Sequence, residues 1–250
     1  MFPFPSFCQR ICCQWPSRII DRNNPYKVAH KESMKRLVYL LLLVLPVLAF
    51  TSCEENAGQE DNSEFTADWQ NRNTTYFAQQ MATAQSAVAA AKAQYGDEWE
   101  SHCDWRIFRS YAKQAGGPLA DSICAQVVES GTGSGYPMYT DSVKVNYIGR
   151  LMPTVSYTEG RTFDHSGIYE TTDAVFSPDF ARPTTLYVGG TVEGFGTALM
   201  HMRIGDRWKV YIPQELGYAA VSRTGIPAYS TLVFELQLKA FYRAGEKPSK

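Results

Sequence analysis

Asp164, His165 and Ser166 stand side by side, the three residue types of a hydrolytic charge relay. Neighbours in sequence cannot face one another in relay geometry, and no Gly-x-Ser-x-Gly elbow occurs, so a serine hydrolase is a poor fit. His102, His165 and His201 lack metal-ligand spacing, and the Cys12-Cys13 pair has no second pair at zinc spacing. Glycines 131, 133 and 135 follow a strand-like segment and could cradle a pyrophosphate. Pro137 then stands where a helix should begin, so no helix N-terminus is available for a dinucleotide. With nucleophile, metal and phosphate chemistry set aside, the remaining signals are apolar and aromatic side chains, Tyr147, Trp208 and Phe234 among them.

Most of these side chains sit on or beside segments that alternate apolar and polar residues. Val143, Val145, Tyr147 and Leu151 share one face of a predicted strand, as do Trp208, Val210 and Ile212, and Leu232, Phe234, Leu236 and Leu238. Residues 104–113 and 122–128 read as two further strands, broken apart by Gly116-Gly117-Pro118. Phe195, Leu199 and Met202 recur at helical spacing in a segment of only a few turns. The pattern predicts an α+β fold, an antiparallel sheet curled over one short helix with an apolar hollow between them.

Ahead of this lies a longer helix. Thr66 is placed to cap it, Asp68 falls in its first turn, and an Ala- and Gln-rich body runs to Tyr95 before Gly96. Trp69, Tyr76 and Phe77 recur on one face, which can dock on its own domain or pair two copies of the chain.

The N-terminal part reads as processing sequence. Lys35 and Arg36 follow Met34, and an apolar run of roughly 14 residues comes next, short of the roughly 20 that span a bilayer. Thr51-Ser52-Cys53 follows, and resembles the cleavage box of bacterial lipoproteins, with Cys53 as the lipidated residue. Residues 34–52 are thus expected to be a lipoprotein signal, Met34 the true start, and residues 1–33 an upstream extension from start-codon choice. Residues 53–65 are an acidic, polar tether; an acidic tract after such a cysteine resembles surface-export signals of Bacteroidetes-like lipoproteins. Cys103 and Cys124 would remain in the mature chain, bridged or free. Across the 250 residues the net charge is -1. No run of Lys and Arg forms a phosphate-binding stripe, so nucleic acid is not an expected partner.

Four blocks carry a resemblance: Val-Asn-Tyr-Ile-Gly at 145–149, Phe163-Asp164, Val-Glu-Gly-Phe at 192–195, and the run 206–234. Together and in this order they resemble the FKBP family of peptidyl-prolyl cis-trans isomerases, over most of residues 127–241. The resemblance implies an isomerase domain at 122–243, an N-terminal appendage of helix and strand at 66–121, and a tail at 244–250. It implies no cofactor and no metal. Its substrates would be proline-containing polypeptides, with macrolide-type ligands as further occupants of the same cup. Tyr147, Phe163, Val192, Phe195, Ile226 and Phe234 match pocket-lining positions, with Phe195 as the floor. The Val192 N–H and the Tyr218 hydroxyl match the donors, and Asp164 matches a buried acid beside Tyr147; no residue matches its usual basic partner unambiguously, although Arg182 could reach it.

The departures are Phe195 in place of a tryptophan, Thr184 or Thr185 where a pocket phenylalanine is common, and Ala228-Tyr229 in a loop that usually carries two prolines. An insert at 167–181 would cover or extend the cup. A degraded rim supports the competing expectation, an envelope binding or chaperone module that keeps the pocket without turnover. The exported, lipid-anchored setting would place the protein at the cell envelope in either case, on the periplasmic or the surface face of the outer membrane.

Overall fold

The structure, a computed structural model, describes residues 62–167 and 182–246. The signal segment, Cys53, most of the tether, the last residues of the tail and all but the first residue of the 167–181 insert lie outside the described residues. The described residues belong to one compact unit.

Seven strands make one antiparallel sheet: β1 (Trp105–Arg109), β2 (Ser122–Glu129), β3 (Ser142–Leu151), β4 (Thr162–His165), β5 (Thr184–Tyr187), β6 (Arg207–Ile212) and β7 (Leu232–Tyr242). The order is β1-β2-β6-β7-β3-β4, and β5 pairs with the first half of β3. The outer edge of β3 is therefore shared end to end: Ser142 to Val145 pair with β5, and Ile148 to Arg150 with β4. A register shift between Lys144 and Val145 marks a bulge in the β3–β7 ladder, where the bulged strand bends and its twist increases.

Period-two alternation sorts the side chains onto two faces. Ile123, Val145, Tyr147, Val210, Phe234 and Leu236 join the core on the inner face, where the short helix α2 (Glu193–Leu199) lays Phe195, Ala198 and Leu199. A Cβ at Gly194 would sit 2.3 Å from an Ile212 side-chain carbon. Only glycine lets the helix come that close to the sheet and lower Phe195 into the hollow.

The long helix α1 (Trp69–Tyr95) covers the outer face. Its Phe77, Met81 and Ala84 bury Cys124, Tyr211 and Val233, the residues of β2, β6 and β7 that alternation turns outward. Docking on its own domain is thus the use made of the first half of this helix. Asn73 is fully buried; its Oδ1 accepts the Thr231 N–H at 2.7 Å, while the Thr231 hydroxyl donates to the Asn73 carbonyl at 3.1 Å. The Trp69 indole donates to Ser230 Oγ at 3.0 Å, and Ser230 Oγ donates to the Pro227 carbonyl at 2.7 Å. The appendage at 66–121 supplies both this helix and the edge strand β1, so its packing is continuous with the rest of the unit.

Helix α1 starts later than the Thr66 cap predicts. Asp68 occupies the N-cap position with a left-handed φ of 49° and makes no side-chain capping bond. The Thr66 hydroxyl instead donates to the Ser63 carbonyl at 3.1 Å, closing a preceding 3-10 turn at Asn62–Phe65. The C-terminal end falls at Tyr95, with Gly96 at φ 56°, as a glycine stop requires. Cys103 and Cys124 are both free thiols. The glycine-rich turn is used for packing: the Gly131 N–H donates to Asp206 Oδ1 at 2.6 Å and the Gly133 N–H to the Ile204 carbonyl at 3.1 Å.

Candidate active site

Between the concave face of the sheet and α2 lies a cavity of about 300 Å³. It is lined by Tyr147, Asp164, Leu186, Gly190, Thr191, Val192, Phe195, Tyr218 and Phe234. Six of the eight residues singled out from the sequence meet there although they come from β3, β4, α2 and its approach, the β6–β7 loop and β7.

Three rings form its base. Phe195 meets Tyr147 edge-on at 5.8 Å and 88°, and meets Phe234 at 4.9 Å and 88°. Tyr147 and Phe234 are 6.2 Å apart at 61°. Such edge-to-face contacts set a positive ring edge on a negative ring face and hold each ring in one orientation. Phe163 does not line the cavity; it backs it, meeting Phe234 edge-on at 5.5 Å and 89°. Room for this stack comes from Gly149, where a Cβ would lie 2.5 Å from the Phe234 ring and 2.7 Å from the Phe163 ring.

The Tyr147 hydroxyl donates to Asp164 Oδ2 at 2.9 Å, and the His165 N–H donates to Oδ1 at 2.8 Å. Burial first, then the Asp164 hydrogen bond and charge, hold the Tyr147 phenol above its ordinary range. Asp164 itself is exposed, which corrects the expectation of a buried acid. β4 lies at the end of the sheet path, paired with β3 on one side, so its carboxylate keeps its hydration. Arg182 is exposed and, among the described residues, makes no ion pair with Asp164. The carboxylate is held by hydrogen bonds alone.

Val192 is the residue before α2, and among the described residues no backbone acceptor takes its N–H. Tyr218 closes the other side of the cavity, with the Arg223 guanidinium carbon 5.4 Å from its ring centroid. Ile226 is displaced from its expected place on the cavity wall. It is buried at the far side of the β6–β7 loop, in a groove with Phe65, Arg161 and Arg223, because a tight Arg223–Ile226 bridge with Gly225 at φ 74° turns it away.

Leu186 was missed by sequence reasoning. Thr184 or Thr185 is expected at the rim; β5 turns Thr185 outward, and Leu186, on the same face as Thr184, lines the cavity. The signal was the period-two pattern itself, hidden because a four-residue strand shows only two inward positions. Among the described residues no three His, Cys, Asp or Glu side chains gather to hold a metal ion, and no helix is long and apolar enough to cross a membrane.

Residues 133–239 match the family described as FKBP-type peptidyl-prolyl cis-trans isomerase. The chain is 31% identical over 129 residues to the macrophage infectivity potentiator of Trypanosoma cruzi, covering 51% of this chain and 57% of that protein. It is 34% identical over 114 residues to the FKBP-type 22 kDa peptidyl-prolyl cis-trans isomerase of Escherichia coli (strain K12), covering 45% and 47%. With FkpA, an FKBP-type peptidyl-prolyl cis-trans isomerase of the same strain, it shares 32% identity over 142 residues, covering 55% and 46%. The chain thus spans about half the length of the curated relatives it matches. All four sequence blocks fall within residues 133–239, the span that matches the FKBP-type peptidyl-prolyl cis-trans isomerase family.

Proposed function

We propose that the protein is a peptidyl-prolyl cis-trans isomerase that catalyses folding of exported, proline-containing polypeptides at the cell envelope. The observation that carries this is the cavity floored by Tyr147, Phe195 and Phe234, with two donors, the Val192 N–H and the Tyr218 hydroxyl, at its walls. An X-Pro bond turns slowly because amide resonance must be lost, at a barrier of about 18 to 20 kcal/mol. The planar amide is the more charge-separated form. An apolar enclosure therefore destabilises it relative to the twisted amide, and no proton need move. Lowering the barrier by about 7 kcal/mol gives a rate gain of about 10⁵.

In this reading Phe195 floors the proline ring, while Phe234 and Leu186 flank it. The Val192 N–H holds the carbonyl of the bound residue, and Tyr218 offers a second donor as the bond turns. Asp164 acts through Tyr147, fixing its ring and hydroxyl. Macrolide-type ligands would occupy the same cup. The competing idea of a binding module without turnover rests on a rim degraded at Thr184 and Ala228; Leu186 of β5 supplies an apolar side chain on the Thr184 side of that rim.

The test is acceleration of cis-to-trans conversion in an Ala-Pro-type peptide by the chain from Cys53 onward. A protein that binds a prolyl ligand but leaves the uncatalysed rate unchanged would overturn the enzyme and leave the binding module. Lipidation at Cys53 is part of the proposal, since a basic start, a short apolar run and small residues precede it. Cys53→Ala should move the protein from the membrane to the soluble fraction of the envelope; retention with no incorporated acyl label would refute the anchor.

A further inference from the structure

The loop that joins β6 to β7 has two working faces. Tyr218 lines the prolyl cavity, while Arg223, Ile226 and Pro227 line a separate groove of about 360 Å³ with Phe65 and Arg161. Arg223 connects the two, because its guanidinium carbon also lies 5.4 Å from the Tyr218 ring centroid.

The groove has an apolar floor and a positive rim. Phe65, delivered by the 3-10 turn ahead of α1, and Ile226 are both buried. Arg161 donates to the Gly225 carbonyl at 3.1 Å, and its guanidinium carbon stands 4.1 Å from the Phe65 centroid, so this charge is fixed over the floor. Arg223 is exposed and, among the described residues, has no carboxylate partner. No Asp or Glu among the described residues lines the groove. Isomerisation of the prolyl bond uses none of this: the twisting amide needs enclosure, not two cations one side chain further out.

We propose that the groove is a second subsite for the same polypeptide whose proline fills the cavity, and that it selects an acidic side chain two or three residues from that proline. The inference rests on the prolyl-binding reading of the cavity. An extended chain advances about 3.3 Å per residue, so two or three residues cover about 7 to 10 Å, enough to pass the 5.4 Å between the Tyr218 ring centroid and the Arg223 guanidinium carbon. The adjacency of groove and cavity at the Arg223–Tyr218 contact and the charge complementarity both favour this occupant.

The experiment uses a set of Ala-Pro peptides carrying Glu, Gln or Lys two or three residues before or after the proline. Both kcat/KM and equilibrium binding, read by fluorescence anisotropy of labelled peptides, are measured for the wild type, Arg223→Glu and Arg161→Gln. At about 0.01 M ionic strength the wild type should prefer the best-placed Glu peptide over its Lys counterpart by about 2- to 10-fold, the range of one exposed charge pair gained and one repulsion removed. The preference should fade near 1 M salt, reverse in Arg223→Glu and shrink in Arg161→Gln. Each ratio is taken within one variant, so a general loss of activity cancels.

Turnover of the Gln peptide reports on the isomerase reading separately. If it is absent, the anisotropy ratios still decide the groove. Equal handling of Glu and Lys peptides at low salt, or a preference that survives Arg223→Glu, overturns the proposal. So does failure of every peptide to bind, or binding of anionic vesicles through Arg223 with no discrimination among peptides.

Discussion

The Tyr147–Asp164 hydrogen bond gives a sharp test of how the site is held together. Tyr147→Phe deletes one hydroxyl whose bond to Asp164 Oδ2 is 2.9 Å long, and leaves the ring against Phe195 and Phe234. A hydrogen bond to a charged group can contribute about 1.5 to 3 kcal/mol, but Asp164 is exposed and its carboxylate returns to water, so about 1 kcal/mol is the expected loss. That is about a fivefold fall in kcat/KM if the whole effect is felt at the transition state. Asp164→Ala should cost a similar factor, since the carboxylate acts through the tyrosine. The double variant should be no worse than either single one, a coupling of about 1 kcal/mol. The assay is kcat/KM on an Ala-Pro peptide for all four proteins, with thermal melts to show that the fold persists. If the two losses multiply to about 25-fold in the double variant, Asp164 acts on the substrate independently of Tyr147, and the positioning argument is wrong.

Asn73→Ala should leave the buried Thr231 N–H without its acceptor, at about 1 to 3 kcal/mol, seen as a Tm lower by about 2 to 12 °C; a melt unchanged from wild type would show that α1 is not fastened there. Burial pushes the Cys124 thiol from 9.0 up to about 12. Because the folded value is the raised one, its contribution is complete below pH 9 and is lost as pH climbs from about 9 toward about 12, at about 1.4 kcal/mol per pH unit. Cys124→Val should therefore flatten the fall of Tm between about pH 9 and about pH 11, and parallel slopes in the two proteins would refute the buried thiol. Since the Tyr147 phenol is held above its ordinary range and no proton moves in the proposed step, kcat/KM should be flat from about pH 6 to about pH 9; a bell-shaped profile would indicate proton transfer.

The sequence by itself determined the local periods and the residue types. Alternation marks Val143 to Leu151, Trp208 to Ile212 and Leu232 to Leu238, and with the two segments at 104–113 and 122–128 it made five of the seven strands among the described residues legible, with most of the core they build. Gly96 stopped the long helix, and four short motifs in order pointed to one cavity, because such signals act over a few residues. Tertiary structure decided what depends on partners far along the chain. Asn73 is a buried polar residue within α1 whose partner Thr231 lies 158 residues away, beyond the reach of any local pattern. Leu186, not Thr185, faces the cavity because pairing with β3 sets the register of β5, and a one-residue slip would turn it outward. Asp164 stays hydrated because β4 lies at the end of the sheet path, and Ile226 faces a second groove because a tight bridge turns the loop. Local sequence encodes which face of an element is apolar; which neighbour covers that face is set only when the chain closes on itself.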